Sequence, residues 1–275
     1  MKIIIHSPSY EESSGGITVL HKLCDILLEQ GFNAGFFVGD QQEFFVNSTY
    51  RTGIFKKEDV DTKNDIVVYP EIVLGNPLGV AKVVRYIMNV GHVTLGRMNT
   101  WEDTDKWIYY SDKFYDGIKP RVILNISDSK LDYFKNYEVD RPYKECFTYR
   151  KNHDNIENLN IVHSKDAIEL GFNMSDEYLI KLFNLCERFY CYDTESYLNV
   201  LASLCGCDSI IVPNNISSRE EVMKQPAFTY GVAYGEGEII QARESREKLR
   251  QYLLDKEDQQ KIDVKELFTE IVNTL

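Results

Sequence analysis

Short runs of β-branched and aromatic residues recur along this chain, and most are followed by a segment whose apolar residues fall at helical spacing. This alternation constrains the fold more than any single residue does. Strands separated by helices build βαβ units, and hence a mostly parallel sheet covered on both faces. Residues 3–6 (Ile3-Ile4-Ile5-His6) read as a buried strand, after which Ile17, Leu20, Leu23, Cys24, Leu27 and Leu28 recur at helical intervals up to Gly31. The pattern predicts further strands at 33–38, 65–69, 106–110 and 121–126. It also predicts a helix over 76–88, with Asn76 as N-cap, Pro77 at the first helical position and an apolar stripe of Val80, Val83, Val84, Ile87 and Met88.

The series restarts after the polar stretch Tyr137-Glu138-Val139-Asp140-Arg141-Pro142. Strands are predicted at 145–150, 160–163, 189–192 and 209–212, with helices over 175–188 and 194–204 between them. Ser175, Asp176 and Glu177 suit a helix N-terminus. From Glu238 onward the composition is helical. The expectation is an α/β fold of two Rossmann-like domains, 1–140 and 141–275, the second carrying the C-terminal helices.

Charge narrows the partners. With 43 acidic against 31 basic residues the formal charge is −12, which disfavours sequence-independent binding to a phosphate backbone, so nucleic acid is not the expected partner. Any phosphate must be neutralised locally. No window approaches the roughly 18 apolar residues of a membrane span, and the apolar start at Ile3-Ile4-Ile5 is too short for a signal peptide core. A cytoplasmic location is expected. The six cysteines lie mostly inside apolar runs, and Cys205-Gly206-Cys207 lacks the spacing of a zinc knuckle, so buried free thiols are expected.

In open α/β sheets, ligands bind outside the carboxyl ends of the strands, so the chemistry is sought in the loops there. Ser7 to Gly16 is a long polar loop whose paired glycines, Gly15 and Gly16, open the first helix; they either let a ligand approach the helix N-terminus or simply form its cap. The loop lacks the G-x-G-x-x-G spacing of a dinucleotide site, which disfavours an oxidoreductase. Glu71 directly follows a strand and can act as a base or bind sugar hydroxyls. His92, after the helix expected from Asn76, titrates near neutrality and is a second candidate base. Arg150 and Lys151 end a strand and suit an anionic diphosphate, Arg by bidentate bonds and Lys as a point charge. Asp193, Thr194, Glu195 and Ser196 connect a strand to a helix start, where Asp193 can cap, Thr194 and Ser196 can hold phosphate and Glu195 can accept ribose hydroxyls. Asp103 and Asp105 share the Asp-x-Asp spacing of a metal-binding pair, yet no apolar strand precedes them, and a solvated turn is the simpler reading.

Taken in order, Ser14-Gly15-Gly16-Ile17, Tyr69-Pro70-Glu71, Gly75-Asn76-Pro77-Leu78, Val83-Val84-Arg85-Tyr86, Tyr192 to Ser196, Ala202 to Cys207 and Phe228 to Gly235 resemble a GT-B-type glycosyltransferase. They are similar to the surface-glycan transferases of bacteria and of large, chlorella-type viruses. The resemblance implies two Rossmann-like domains with a cleft between them. It further implies a nucleotide-sugar donor, UDP-linked by preference and GDP-linked as an option, held by the C-terminal half, with an oligosaccharide or glycoprotein acceptor on the N-terminal half. Arg150 and Lys151 would contact the diphosphate, Thr194 to Ser196 would supply the phosphate-binding helix start, and Gly15 and Gly16 would face the donor. The Glu-x7-Glu signature of many retaining members is not evident, since Glu187 and Glu195 lie before and after a strand, and this favours inversion. With cations and a helix end for the leaving diphosphate, no metal is required, and the base is Glu71 or His92. A metal-dependent single-domain transferase using Asp103 and Asp105, and a non-catalytic glycan- or nucleotide-binding module, are the alternatives.

Overall fold

The computed structural model describes residues 1–12, 14–39, 43–89, 96–149, 159–172, 174–194, 196–214 and 218–275. His92, Arg150, Lys151 and Glu195 lie outside the described residues. The chain forms two compact units, residues 1–128 with 257–275, and residues 129–256. The sequence pattern places 141–275 wholly in the second domain, whereas in the structure the last nineteen residues cluster with the first.

The first unit holds β1 (Ile3–Ile5), α1 (Gly15–Glu29), β2 (Ala34–Phe37), β3 (Ile54–Phe55), β4 (Ile66–Pro70), β5 (Lys82–Ile87) and β6 (Lys106–Tyr109). Its six strands are all parallel and lie in the order β3-β2-β1-β4-β5-β6. This is the Rossmann order, and its direction reverses between β1 and β4, the switch point where such sheets bind ligands. β1 and β4 are buried along their whole lengths, which is why they read as continuous apolar runs rather than alternating ones. One face of the sheet is covered by Leu20, Leu23 and Leu27 of α1 together with Val264, Phe268 and Ile271 from the end of the chain.

The second unit holds β7 (Tyr143–Thr148), β8 (Ile168–Glu169), α2 (Asp176–Leu185), β9 (Cys186–Cys191), α3 (Leu198–Leu204), β10 (Asp208–Ile211), α4 (Arg219–Val222), β11 (Val232–Tyr234) and α5 (Ile239–Glu244). The terminal helix α6 (Arg246–Thr274) contributes Leu249 and Leu253 to this unit's core. The five parallel strands run β11-β10-β9-β7-β8, the flavodoxin-like variant of the doubly wound sheet, with its switch point between β7 and β9. The fold class is therefore α/β with two Rossmann-like domains. No helix among the described residues is long and apolar enough to cross a membrane.

Four local expectations are corrected. The stretch expected as a helix over 76–88 is a loop followed by strand β5. Val83, Val84, Tyr86 and Ile87 are β-branched or aromatic, and they pair in parallel with β4 instead of coiling into a helix. Residues 121–126 make only an isolated bridge, Tyr109 to Ile123. Residues 160–163 are not a strand, and the edge position is taken by β8. Last, α3 starts at Leu198 with Tyr197 as N-cap, so Thr194 and Ser196 lie in the turn before the helix rather than at its start.

Candidate functional site

At the carboxyl edge of the first sheet, α1 begins at Gly15, and its N-cap residue Ser14 makes no side-chain capping bond. The first amides of any helix lie outside its own hydrogen-bond ladder. A Cβ added at Gly15 would meet nothing within 4 Å, and one at Gly16 only Met88 Cε at 3.8 Å. Packing within the protein does not demand these glycines. They leave backbone accessible at a positive helix end instead.

Beside this helix start, β4 ends in Tyr69-Pro70 and delivers Glu71. Glu71 is only 5% exposed, and its Oε2 accepts a hydrogen bond from the Met88 amide at 3.1 Å. Burial pushes its carboxyl above the ordinary glutamate value; the Met88 and Glu71 amides and the Arg97 charge pull the other way without cancelling this. Pro8, Gly16, Leu20, Glu71, Met88 and Asn89 line a cavity of about 300 Å³. It lies at the β1/β4 switch point and is open to solvent. A desolvated carboxylate whose affinity for protons is raised, set against a ligand-sized cavity, is suited to proton abstraction.

The loop carrying Glu71 is fixed from below. Tyr69 donates its hydroxyl to Asn76 Oδ1 at 3.1 Å and accepts from the Leu78 amide at 3.0 Å, while Asn76 Nδ2 donates to Val80 O at 2.8 Å. Arg85, fully buried in β5, donates Nη2 to Gly75 O at 2.6 Å and Nε to Asp105 Oδ2 at 2.7 Å. Its guanidinium lies 4.9 Å from the ring centroids of both Tyr69 and Trp101. Asp105 is thereby committed to a buried ion pair, and Asp103 offers its backbone carbonyl to Lys119. The Asp-x-Asp pair is not assembled as a cation site. Among the described residues, no group of three or more His, Cys, Asp or Glu side chains is placed to hold a metal.

The second sheet presents Phe147, Thr148 and Tyr149 at the end of β7 and Tyr192, Asp193 and Thr194 after β9, flanking its own switch point. Asp193 and Ser196 are buried, and the Ser196 carbonyl accepts from the Asn199 backbone and side-chain amides. His163 emerges here without having been singled out from the sequence. Its ring stacks on Phe147 at 3.7 Å, and its Nδ1 lies 2.7 Å from the Tyr192 hydroxyl. That hydroxyl also accepts from the Val162 amide at 3.0 Å, which fixes the Tyr192 ring beside the imidazole. Burial lowers the His163 pKa, which favours the neutral imidazole. Its signal was masked because residues 160–163 read as a strand. The structure thus brings Gly16 and Glu71 together at one switch point, and Asp193, Thr194 and Ser196 at the other.

No protein-family model matches the chain, and no curated protein matches its sequence. Among solved structures it is similar to an alpha-glucosyltransferase in complex with UDP and a 13-mer DNA, at 12% identity and a TM-score of 0.46, covering 97% of this chain and 94% of that one. It is also similar to the T4 phage BGT in complex with UDP and Mn2+, at 11% identity and a TM-score of 0.47, with 99% of each chain covered.

Proposed function

We propose that this chain is a nucleotide-sugar-dependent glycosyltransferase that moves a sugar from a UDP-linked donor to a hydroxyl of an oligosaccharide or glycoprotein, with inversion and without a required metal. The observation that carries the reading is Glu71: a buried carboxylate, raised in pKa, lining a cavity at the β1/β4 switch point of a Rossmann sheet. In this reading Glu71 takes the proton of the acceptor hydroxyl as that oxygen attacks the anomeric carbon. The bond from that carbon to the donor diphosphate breaks, and its electron pair leaves with UDP. Arg150 and Lys151 neutralise the departing charge, the Asp193 to Ser196 turn holds the donor, and His92 is the alternative base.

Release of UDP from a panel of UDP- and GDP-sugars, with and without oligosaccharide acceptors, tests this. Glu71→Gln is expected to lower turnover by about 10²- to 10⁴-fold while UDP binding by calorimetry is retained. Unchanged turnover removes Glu71 from the reaction. Failure of every nucleotide sugar to bind removes the function, and binding without turnover in the wild type marks a non-catalytic module. DNA, a 13-mer of which is in complex with one of the similar structures, serves as a further acceptor arm. The charge of −12 predicts no transfer to it.

A further inference from the structure

The amino edge of the second sheet, opposite the switch-point loops, carries a group of cations that the proposed transfer does not use. A cavity of about 280 Å³ there is lined by Arg141, Glu187, Arg188, Asp208, Arg243 and Arg246. Asp208 opens β10 and sits in register with Arg188 of β9. Arg243 grips Asp208 with both prongs, Nε to Oδ1 at 2.8 Å and Nη2 to Oδ2 at 2.5 Å, and Arg246 adds Nη2 to Oδ1 at 2.7 Å. Arg141 is held differently. Its Nη1 donates to the carbonyls of Phe183 and Cys186, and its Nη2 to that of Cys205, so it is fixed in place without a carboxylate of its own.

One buried carboxylate needs one bidentate arginine, and here four guanidiniums surround it. Arg188 has Glu236 3.5 Å away, and Glu187 is paired with Lys144. Counting all of these groups, five cations face three carboxylates, an excess of two positive charges in a chain whose total is −12. Arg246 Nε is buried with no hydrogen-bond partner beside this cavity. The side chains of Arg243 and Arg188 are 57% and 42% exposed, so a ligand can reach them. Gly206 completes the wall: its φ is +80°, and a Cβ there would meet Arg141 Nη2 at 2.7 Å.

We infer that this arginine-lined cavity is a second anion site, taking the phosphate or diphosphate group of a small soluble molecule. Planar guanidiniums present paired N–H groups that match phosphate oxygens, and the surplus charge is what such a ligand would neutralise. Its position on the edge opposite the proposed donor site makes it independent of the catalytic reading.

Calorimetric titration with pyrophosphate, and with inorganic phosphate, tests the inference at fixed ionic strength, both with saturating UDP and without nucleotide. One saturable site that persists under UDP is expected. Arg188→Gln and Arg243→Gln should each weaken it about tenfold, the loss of a charge-assisted contact, and leave UDP binding unchanged. Arg188→Gln leaves every Asp208 ion pair intact, so it decides the matter even if Arg243→Gln fails to fold. Absence of saturable binding, or wild-type affinity in Arg188→Gln, overturns the site. A protein that binds pyrophosphate as described but no nucleotide keeps this site and loses the proposed donor site instead.

Discussion

Replacing Asp105 by Ala tests the Arg85–Asp105 pair, the polar contact on which the loop bearing Glu71 rests. The two side chains are 0% and 3% exposed with Nε and Oδ2 2.7 Å apart, so removing the carboxylate leaves a buried guanidinium with no counter-charge from Asp105. Removing one partner of such a pair costs about 3–5 kcal/mol, because the survivor is then buried and uncompensated. Here the value belongs near the middle of that range, about 4 kcal/mol: Arg85 keeps its bond to Gly75 O and its Tyr69 and Trp101 faces, but its Nη1 already lacks a partner and can offer no relief. Arg85→Met alone, which leaves Asp105 buried and uncompensated, should cost about as much as Asp105→Ala, whereas the double variant Arg85→Met, Asp105→Ala removes both charges and should recover about half of the Asp105→Ala loss, so that the variants are far from additive. The assay is urea unfolding followed by tryptophan fluorescence. The chain's two tryptophans, Trp101 and Trp107, both lie in the first unit with ring centroids 5.2 Å apart, so the signal reports that unit. With a urea slope of about 2–3 kcal/mol per molar, the single variant's midpoint should fall by roughly 1.3–2 M. A loss under about 1 kcal/mol, or strictly additive variants, would refute the reasoning that the pair is buried and indivisible.

Other consequences follow from the same geometry. If Glu71 is the base, transfer requires its ionised form, so activity should rise with pH through a limb lying above the ordinary glutamate range, and Glu71→Gln should abolish that limb along with the rate; a limb retained in the variant assigns it to another group. The same raised pKa means that ionising Glu71 opposes folding, so Glu71→Gln should be at least as stable as the wild type at pH 8 in thermal melts, and a clear loss of stability would contradict this. All six cysteines are buried, and burial raises Cys24, Cys191 and Cys205 to about 12, so Ellman's reagent should label almost no thiol in the native protein and six in urea. At Gly35, a Cβ would lie 2.5 Å from the Gly53 carbonyl carbon, where β2 approaches the chain entering β3; Gly35→Ala should therefore cost about 3 kcal/mol, measured by the same fluorescence-detected unfolding.

The alternation of strand and helix patterns was enough to identify two doubly wound sheets, because buried parallel strands read as apolar runs: β1 and β4 do so along their whole lengths, and β9 and β10 do so in their carboxyl halves, Phe189 to Cys191 and Ile210-Ile211. It could not order the strands or close the first unit. The packing of Val264, Phe268 and Ile271 against β-strand residues near the chain's start is a contact between segments more than 200 residues apart, and the helical spacing of those three residues is the same whichever core receives them. The helix expected over 76–88 failed for a related reason. Val80, Val83, Val84 and Ile87 satisfy a helical stripe, yet the same residues form a short β-branched run between Gly79, with φ of +63°, and the loop that follows. In so short a run the preference of β-branched residues for pleated backbone decides, and the available edge of β4 makes it stable.

That correction also changes what the site can be. Had residues 76–88 been a helix, Arg85 would have stood on a helical surface, free for solvent or ligand; as the fourth residue of a buried strand, it has to be neutralised inside the sheet. The neutralising carboxylate must come from the strand paired beside it. β5 and β6 are in register from Val84↔Lys106, so the residue entering β6 is Asp105, the nearest acid that the pairing can supply. Once Arg85 is read as a strand residue, the second aspartate of the Asp-x-Asp spacing is claimed by the fold before any cation can claim it. The same ion pair then anchors Gly75, four residues beyond Glu71 on one loop, so the carboxylate proposed for chemistry is held in place by the pair that removes the competing metal site.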